Sequence, residues 1–456
     1  MLESVPGRGP GGRYSVFAID PVRTACHWGE GDADVFALLG EDWRPWRRLA
    51  GEPALPFVGG WIGMLSYEAG RFTEPSAGWG QRAARLPLSY WSLFDTVLVH
   101  DGESDGWTVA GVELPEDVAP APRPALEDRL DRLERFVGRI GDGAPAVQRD
   151  GISHATGRWN LSRDRYFRMV ERTLSYIRAG DIFQVNLARR FRLSTAAHPA
   201  AIYQCLCEQN PAAFAAYLPI HHSRSAQGPP AAVLSSSPEL FLHLHGSELV
   251  TRPIKGTRPR GRDAQSDAAA AMELSRSQKD RAELNMIIDL ERNDLGRVCE
   301  YGSVQVDSDG DIEKLATVFH RTATIRGRLR AGLDAVDLLR ATFPGGSVSG
   351  APKVRAMQII NELEPDARGP YCGAIGYVGL DGTMELNLAI RTLTMAGGDV
   401  DCFVGSAIVA DSEPLEEYLE LKAKAAGMMA ALGVGAELSP APVAAGTSPG
   451  SFYCHG

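Results

Sequence analysis

Apolar and polar positions divide the chain into two styles of patterning. Between about residues 14 and 112, stretches such as "RYSVFAIDP", "PFVGGWIGMLSYEAG" and "LSYWSLFDTVLVHDG" mix aromatic and β-branched residues with glycine breaks, which predicts strands. A Pro/Ala segment, a short amphipathic stretch ("ALEDRLDRLERFVGRIG") and a Gly/Ala/Pro segment then read as a connector carrying one short helix. From about residue 155, helical and strand periods interleave. Ser162 suits the cap of a helix "RDRYFRMVERTLSYIRAG" that Gly180 ends, and the strand "IFQVNLARRFRL" follows. "AVLSSSPELFLHLHGSELVTRPIKGT" and "YCGAIGYVGLDGTMELNLAIRTLTMAGG" predict hairpins turning at "HGS" and "DGT". Strands that follow one another this closely predict an α+β fold with largely antiparallel sheets, not a doubly wound parallel sheet. The expected organisation is a β-rich region over 1–113, a connector over 114–157, a catalytic region over 158–434 and a disordered tail over 435–456.

Composition narrows the function classes. The 456 residues carry a formal net charge of -10, which argues against nucleic acid as the main partner, because a phosphate backbone recruits basic surfaces. No apolar run approaches the roughly 18 residues of a membrane span. The start has no apolar stretch behind its charges and does not read as a secretion signal. Seven scattered cysteines form neither a disulfide framework nor a zinc site, so a reducing cytoplasm is the expected setting. None lies in the G-x-C-x-G elbow of a nucleophilic glutaminase, and no G-x-S-x-G arrangement is present.

Four stretches can carry chemistry. In "SSSPELFL" and "RPIKGTRPRG", Glu239 starts an apolar strand and Lys255 sits in a Gly/Pro-rich loop; taken alone, a strand-end carboxylate and a turn lysine read first as solvated surface groups. In "KDRAELNMIIDLERNDLGRV", Glu283 shares a helix face with Met286, Ile287 and Leu290. A carboxylate there is paired, protonated or metal-bound, unless its head reaches past the stripe edge to water. "ATFPGGSVSGAPKVRAM" predicts a tight turn into a helix whose first residues are Gly350, Ala351 and Pro352, with free amides that would attract an anion; a plain turn is the other reading. In "VADSEPLEEYLELKAK", Pro414 opens a helix, and its dipole accounts for Glu416 and Glu417. Glu420 lies a turn further in, where the dipole accounts for it less well. Glu283 and Glu420 could together hold one hard cation, since magnesium usually takes one or two carboxylates. Two polar rows complete the set: Gln184, Asn186, Ala188 and Arg190 on one strand face, and Glu385, Asn387, Ala389 and Arg391 on another.

Taken in order, "GDIFQVNLARRF", "SSSPELFL", "PIKGTRPRG", "DRAELNMIIDLERNDLGRV", "FPGGSVSGAPKVRAM", "GPYCGAIGYVGLDG", "ELNLAIRT" and "IVADSEPLEEYLE" resemble the motifs of the chorismate-utilising enzymes over most of the chain. The resemblance implies a sandwich of two antiparallel sheets with helices outside and the active site in a cleft. "FVGGWIGMLSYE" is similar to the extra N-terminal region of the aminating branches. Anthranilate synthases typically carry alanine in "PIAGT", where this chain has Lys255; "PIKGT" is similar to aminodeoxychorismate synthase component I. That branch implies amination of chorismate at C4 by ammonia to 4-amino-4-deoxychorismate, the precursor of p-aminobenzoate on the way to folate or related products. The mechanism it implies makes Lys255 a nucleophile at ring carbon C2. Glu239 then protonates the departing hydroxyl, and Glu283 and Glu420 ligate Mg²⁺.

By the same resemblance, Gly256 and Thr257 line the pocket, His320 lies near the ring, and Tyr371, Arg391, Gly405 and Lys424 clamp the carboxylates. Gln184 stands where isochorismate-forming branches have a water-activating lysine, which favours ammonia over water. "MLES" resembles the effector-contacting "LLES" of anthranilate synthase, giving Ser4, Arg13 and Tyr14 as candidate effector residues. "GSAIVADS" and "TVFHRTATIRG" depart from the family's commoner forms at Ser406 and around His320. With no glutaminase elbow, a separate glutamine amidotransferase subunit is the expected nitrogen source. The competing readings are anthranilate synthase component I and an inactive regulatory paralogue that binds a glutaminase.

Overall fold

The computed structural model describes residues 1–3, 13–29, 33–46, 55–80, 82, 84–115, 123–141, 157–221, 230–315 and 317–434. Their strands form two antiparallel sheets, one of eleven strands and one of ten. In the first, Gln184–Ser194 and Asp399–Ile408 lie side by side, in register from Val185↔Ile408 to Ser194↔Asp399. Thr392–Ala396, Ala231–Ser237 and Phe214–Ile220 continue it toward the N-terminal strands Tyr14–Phe17 and Thr96–Asp101. The second sheet runs from Ile254–Pro259 through Val318–Arg328, Glu248–Arg252, Leu240–His245, Met384–Leu388 and Ala374–Gly379 to Gly60–Leu65. Strands of residues 1–113 thus hydrogen-bond into both sheets beside strands of 158–434.

The sheets pack face to face through apolar side chains. Val97, Val99, Ala216, Leu218 and Val233 of the first meet Ile62, Met64, Tyr90 and Ile375 of the second in one buried cluster. Period-2 alternation shows in the outer strand Gln305–Lys314, whereas Gly60–Leu65 is buried at every position and reads as a continuous apolar run because both of its faces are covered. Helices cover the outer faces. Arg163–Arg178 is capped by Ser162, whose hydroxyl accepts the Arg165 amide at 3.2 Å, and Gly180 beyond its end has φ 80°. Leu126–Gly141 is the short helix expected in the connector. The "HGS" and "DGT" turns both join antiparallel neighbours, as their composition predicts.

Two expectations need correction. The polar row Glu385–Asn387–Ala389–Arg391 does not share one strand face. Met384–Leu388 belongs to the second sheet and Thr392–Ala396 to the first, so the chain crosses between sheets at Ala389–Arg391. Arg391 makes that crossing with φ 50°, a left-handed conformation costing a non-glycine residue about 1 kcal/mol or more. The helix expected to open at Gly350 opens instead at Lys353. Gly350–Ala351 extends the first sheet beside Val185 and Gln184, and a short helix, Gly346–Ser349, precedes it. The reason lies in the Gly350 backbone: φ is 139°, and a Cβ there would stand 2.2 Å from the Gln184 carbonyl oxygen.

The candidate active site

Glu239 also lies on a crossing. Ala231–Ser237 belongs to the first sheet and Leu240–His245 to the second, with Pro238 and Glu239 between them. The two crossings brace each other. The Leu388 amide donates to the Glu239 carbonyl (3.1 Å), the Ser236 amide to the Arg391 carbonyl (3.1 Å) and the Ser237 hydroxyl to the Leu388 carbonyl (2.6 Å). Consecutive serines suit this corner because their hydroxyls satisfy backbone groups that leave the ladder. The Glu239 side chain is buried and accepts the Ser347 hydroxyl at 2.7 Å. Burial raises its pKa against the opposing pull of Ser347, Lys255 and Arg391, which favours the protonated acid.

Lys255 reaches the same place from the edge strand Ile254–Pro259. The pairing of that strand with Val318–Arg328 is irregular between Ile254 and Thr257, and Gly256 lies in the irregularity with φ 81°. A Cβ on Gly256 would stand 2.8 Å from both Asp280 and Leu274, so glycine lets the helices Ala264–Arg276 and Gln278–Gly296 close over the loop. The Lys255 ammonium donates to the Ser347 carbonyl at 3.3 Å. Burial lowers its pKa, while Glu283 and Glu239 pull it back up and Lys424 pushes it down again. Thr257 and His320, paired in register, share a hydrogen bond of 2.8 Å at His320 Nδ1. Burial, helped by Arg391, pushes His320 down to about 3, so the ring is neutral, and its buried Nε2 has no partner in the protein.

Glu283 and Glu420 come from different helices, Gln278–Gly296 and Pro414–Ala431, and act on each other and on Lys255 electrostatically. Burial raises Glu283, and repulsion from Glu420 adds to it against Lys255 and Lys279. Partial desolvation would also raise Glu420, whose side chain is still 48% exposed, but Lys424, paired with it at 2.7 Å, brings it below the usual carboxylate value. Among the described residues no cluster of three or more metal-ligating side chains occurs. Two carboxylates of hard oxygen donors still fit magnesium, which keeps waters and takes substrate oxygens. The remaining predicted groups gather beside them. The Lys424 ammonium lies 3.4 Å from the Gly405 carbonyl oxygen. A Cβ on Gly405 would stand 2.8 Å from Tyr371 Oη, and the Tyr371 ring stacks on Phe403 at 5.4 Å.

The family of chorismate binding enzymes matches residues 19–430. The chain belongs to that family. It is 37% identical to aminodeoxychorismate synthase component 1 of Bacillus subtilis, over 96% of this chain and 92% of that one. It is 38% identical to anthranilate synthase component 1 of Streptomyces coelicolor, over 95% and 83%. The crystal structure of anthranilate synthase component I from Streptococcus pneumoniae superposes with a TM-score of 0.78 at 30% identity, covering 94% of this chain and 93% of that one. This chorismate-utilising enzyme therefore has relatives of both product types.

Some residues of the candidate site escaped the sequence reading. Ser347 meets both Glu239 and Lys255, yet serine in a glycine-rich turn carries no distinguishing signal. Glu417, which the helix dipole accounted for, is buried; it accepts the Ser412 hydroxyl at 2.5 Å, and its other oxygen is unpartnered. Ser406, where the motif departs from the commoner form, is buried and shares a 2.8 Å hydrogen bond with Tyr166. Gln184 is buried with both amide atoms unpartnered. The candidate effector residues lie apart from these groups. Arg13 and Tyr14 line a cavity of about 270 Å³ with Leu2, Glu3 and Phe214, although Arg13 is also held by Asp101 at 2.8 and 2.9 Å. Ser4 lies outside the described residues.

Proposed function

We propose that this chorismate-utilising enzyme aminates chorismate at C4 to give 4-amino-4-deoxychorismate, with Lys255 as covalent nucleophile. The observation that carries the reading is the seat of Lys255. A lysine of lowered basicity lies within a shell of carboxylates, beside a buried, proton-favouring Glu239, and both touch Ser347. Only an unprotonated amine attacks, and burial makes that form accessible nearer neutral pH. In the proposed sequence, Lys255 Nζ bonds to C2, both ring double bonds shift along the diene toward C4, and the C4 hydroxyl departs as water with the Glu239 proton. Ammonia then bonds to C4, both double bonds return, the lysine amine is expelled, and the added nitrogen gives one proton back to Glu239, so the net change is ammonia in and water out. Splitting one difficult substitution in two is what a covalent intermediate supplies.

Glu283 and Glu420 would hold Mg²⁺, whose charge when bound would bind and polarise a substrate carboxylate. Arg391, Lys424 and Tyr371 would orient the carboxylates, Arg391 from its strained crossing between the sheets. Neutral His320 can accept or donate one hydrogen bond at Nε2 without adding charge. A separate amidotransferase subunit would supply ammonia from glutamine. Anthranilate formation is the second reading, favoured by the identity to the Streptomyces coelicolor relative. The test is to incubate the purified chain with chorismate, Mg²⁺ and an ammonium salt and to resolve the products. Aminodeoxychorismate, converted to p-aminobenzoate by an added lyase, supports the proposal; direct anthranilate overturns it.

A further inference from the structure

The helix Gln278–Gly296 carries Glu283 at the cleft and, two turns further on, a second carboxyl that the chemistry above does not use. Glu291 is 2% exposed. One of its oxygens accepts the Gly346 amide at 3.3 Å, and the other is buried without a partner. A buried, half-satisfied carboxyl is costly compared with an apolar residue of similar size, so its position calls for a role. Gly346 makes the contact possible: a Cβ there would lie 2.6 Å from Leu290 and 3.2 Å from the accepting Glu291 oxygen.

What Gly346 leads into is Ser347. Its hydroxyl donates to Glu239 and its carbonyl accepts Lys255, so one residue sets the spacing of the two groups. The other anchors of this segment lie to either side of Gly346. Asp294 holds Lys353, which donates to the Thr342 carbonyl at 2.9 Å, and Arg368 and Asn186 hold the Val348 carbonyl at 3.1 and 3.2 Å. Glu291 alone among these holds the amide immediately before Ser347.

We propose that Glu291 is a positioning residue of the chorismate reaction: through the Gly346 amide it fixes the short helix that presents Ser347 to Glu239 and Lys255. The groups facing it are Asp294 on its own helix, Lys353 from the following helix, Glu239 from the crossing and the Gly346 amide. Burial first, then Asp294, pushes the Glu291 carboxyl up to about 8, so below that pH it holds Gly346 without placing a negative charge beside Glu239. The roles of Glu239 and Lys255 rest on the proposed function, but the contact to Gly346 does not, and the experiment separates the two.

Glu291→Leu removes the acceptor, and Glu291→Gln keeps it while abolishing ionisation. With chorismate, Mg²⁺ and ammonium, and chorismate consumption as the readout, Glu291→Leu is expected to lose about 10- to 100-fold in kcat with little change in KM, as small misplacements of reacting groups do. Glu291→Gln is expected to restore the rate. In glycine-labelled protein, the Gly346 amide resonance is expected to titrate with a midpoint of about 8 in the wild type and not in Glu291→Gln. Unchanged kcat in Glu291→Leu, a Glu291→Gln as slow as Glu291→Leu, or a Gly346 resonance that does not titrate overturns the proposal. A wild-type chain that consumes no chorismate defeats the functional reading alone, since the resonance titration still tests the contact.

Discussion

Replacing Glu239 by glutamine removes one transferable proton and little else. The two side chains have nearly equal volume, and a glutamine carbonyl can still accept the Ser347 hydroxyl now held at 2.7 Å. If Glu239 delivers the proton to the departing hydroxyl, its loss should cost what a positioned general acid contributes, about 10²- to 10⁴-fold in kcat. At about 1.4 kcal/mol per factor of ten, that is roughly 3–6 kcal/mol of barrier. Stability should move the other way with pH. Burial raises the folded-state pKa of Glu239, so the folded wild type binds its proton more tightly than the unfolded chain does. Wild-type stability therefore falls as pH rises above the ordinary glutamate range, and Glu239→Gln escapes that penalty. The assay pairs chorismate consumption under saturating ammonium with denaturant unfolding at pH 5 and pH 8. Turnover within about threefold of wild type would refute the acid role, because no general acid in this position is worth so little.

Lys255→Ala is expected to abolish covalent amination and leave residual activity at best; wild-type turnover in that variant makes the lysine a loop cation. Because desolvation lowers the pKa of the partly buried Lys255, the acid limb of wild-type kcat should have its midpoint below the ordinary 10.5 of lysine, with the rate rising as pH passes through it; a limb at or above 10.5 would contradict that seat. Glu283→Gln should lose turnover and magnesium dependence while unfolding at the wild-type denaturant midpoint or above, and Glu420→Gln should lose both while remaining folded, at a slightly lower midpoint for want of its Lys424 ion pair; normal magnesium activation in either variant removes it from the ligand set. The purified chain given glutamine without a partner should release no glutamate, as none of its seven cysteines lies in a glutaminase elbow, and robust release would reveal a missed site.

Much of the fold was determined by local chemistry alone. Gly180 and Ser162 bracket their helix, and "HGS" and "DGT" turn their hairpins, because capping and turn formation depend on a few adjacent residues. Residue types raised Glu239, Lys255, Glu283 and Glu420 only as candidates, and the ordered motifs around them, through the family resemblance, singled them out. What only the tertiary structure decided was which strand belongs to which sheet. "MELNLAIRTL" reads as one strand, yet it is two, because the chain changes sheets at Arg391, and no local period records that. The same crossing geometry sets Glu239 against Arg391, and the packing of three separate segments sets Ser347 between Glu239 and Lys255. Glu291 shares its helix with Glu283, but its contact with the Gly346 amide and its facing of Lys353, both more than 50 residues further along the chain, are not legible in that helix. A single sequence carries hydrogen-bonding capacity residue by residue; it takes the packed chain to say which of those groups lose water, and that loss is what shifts their pKa values and creates the site.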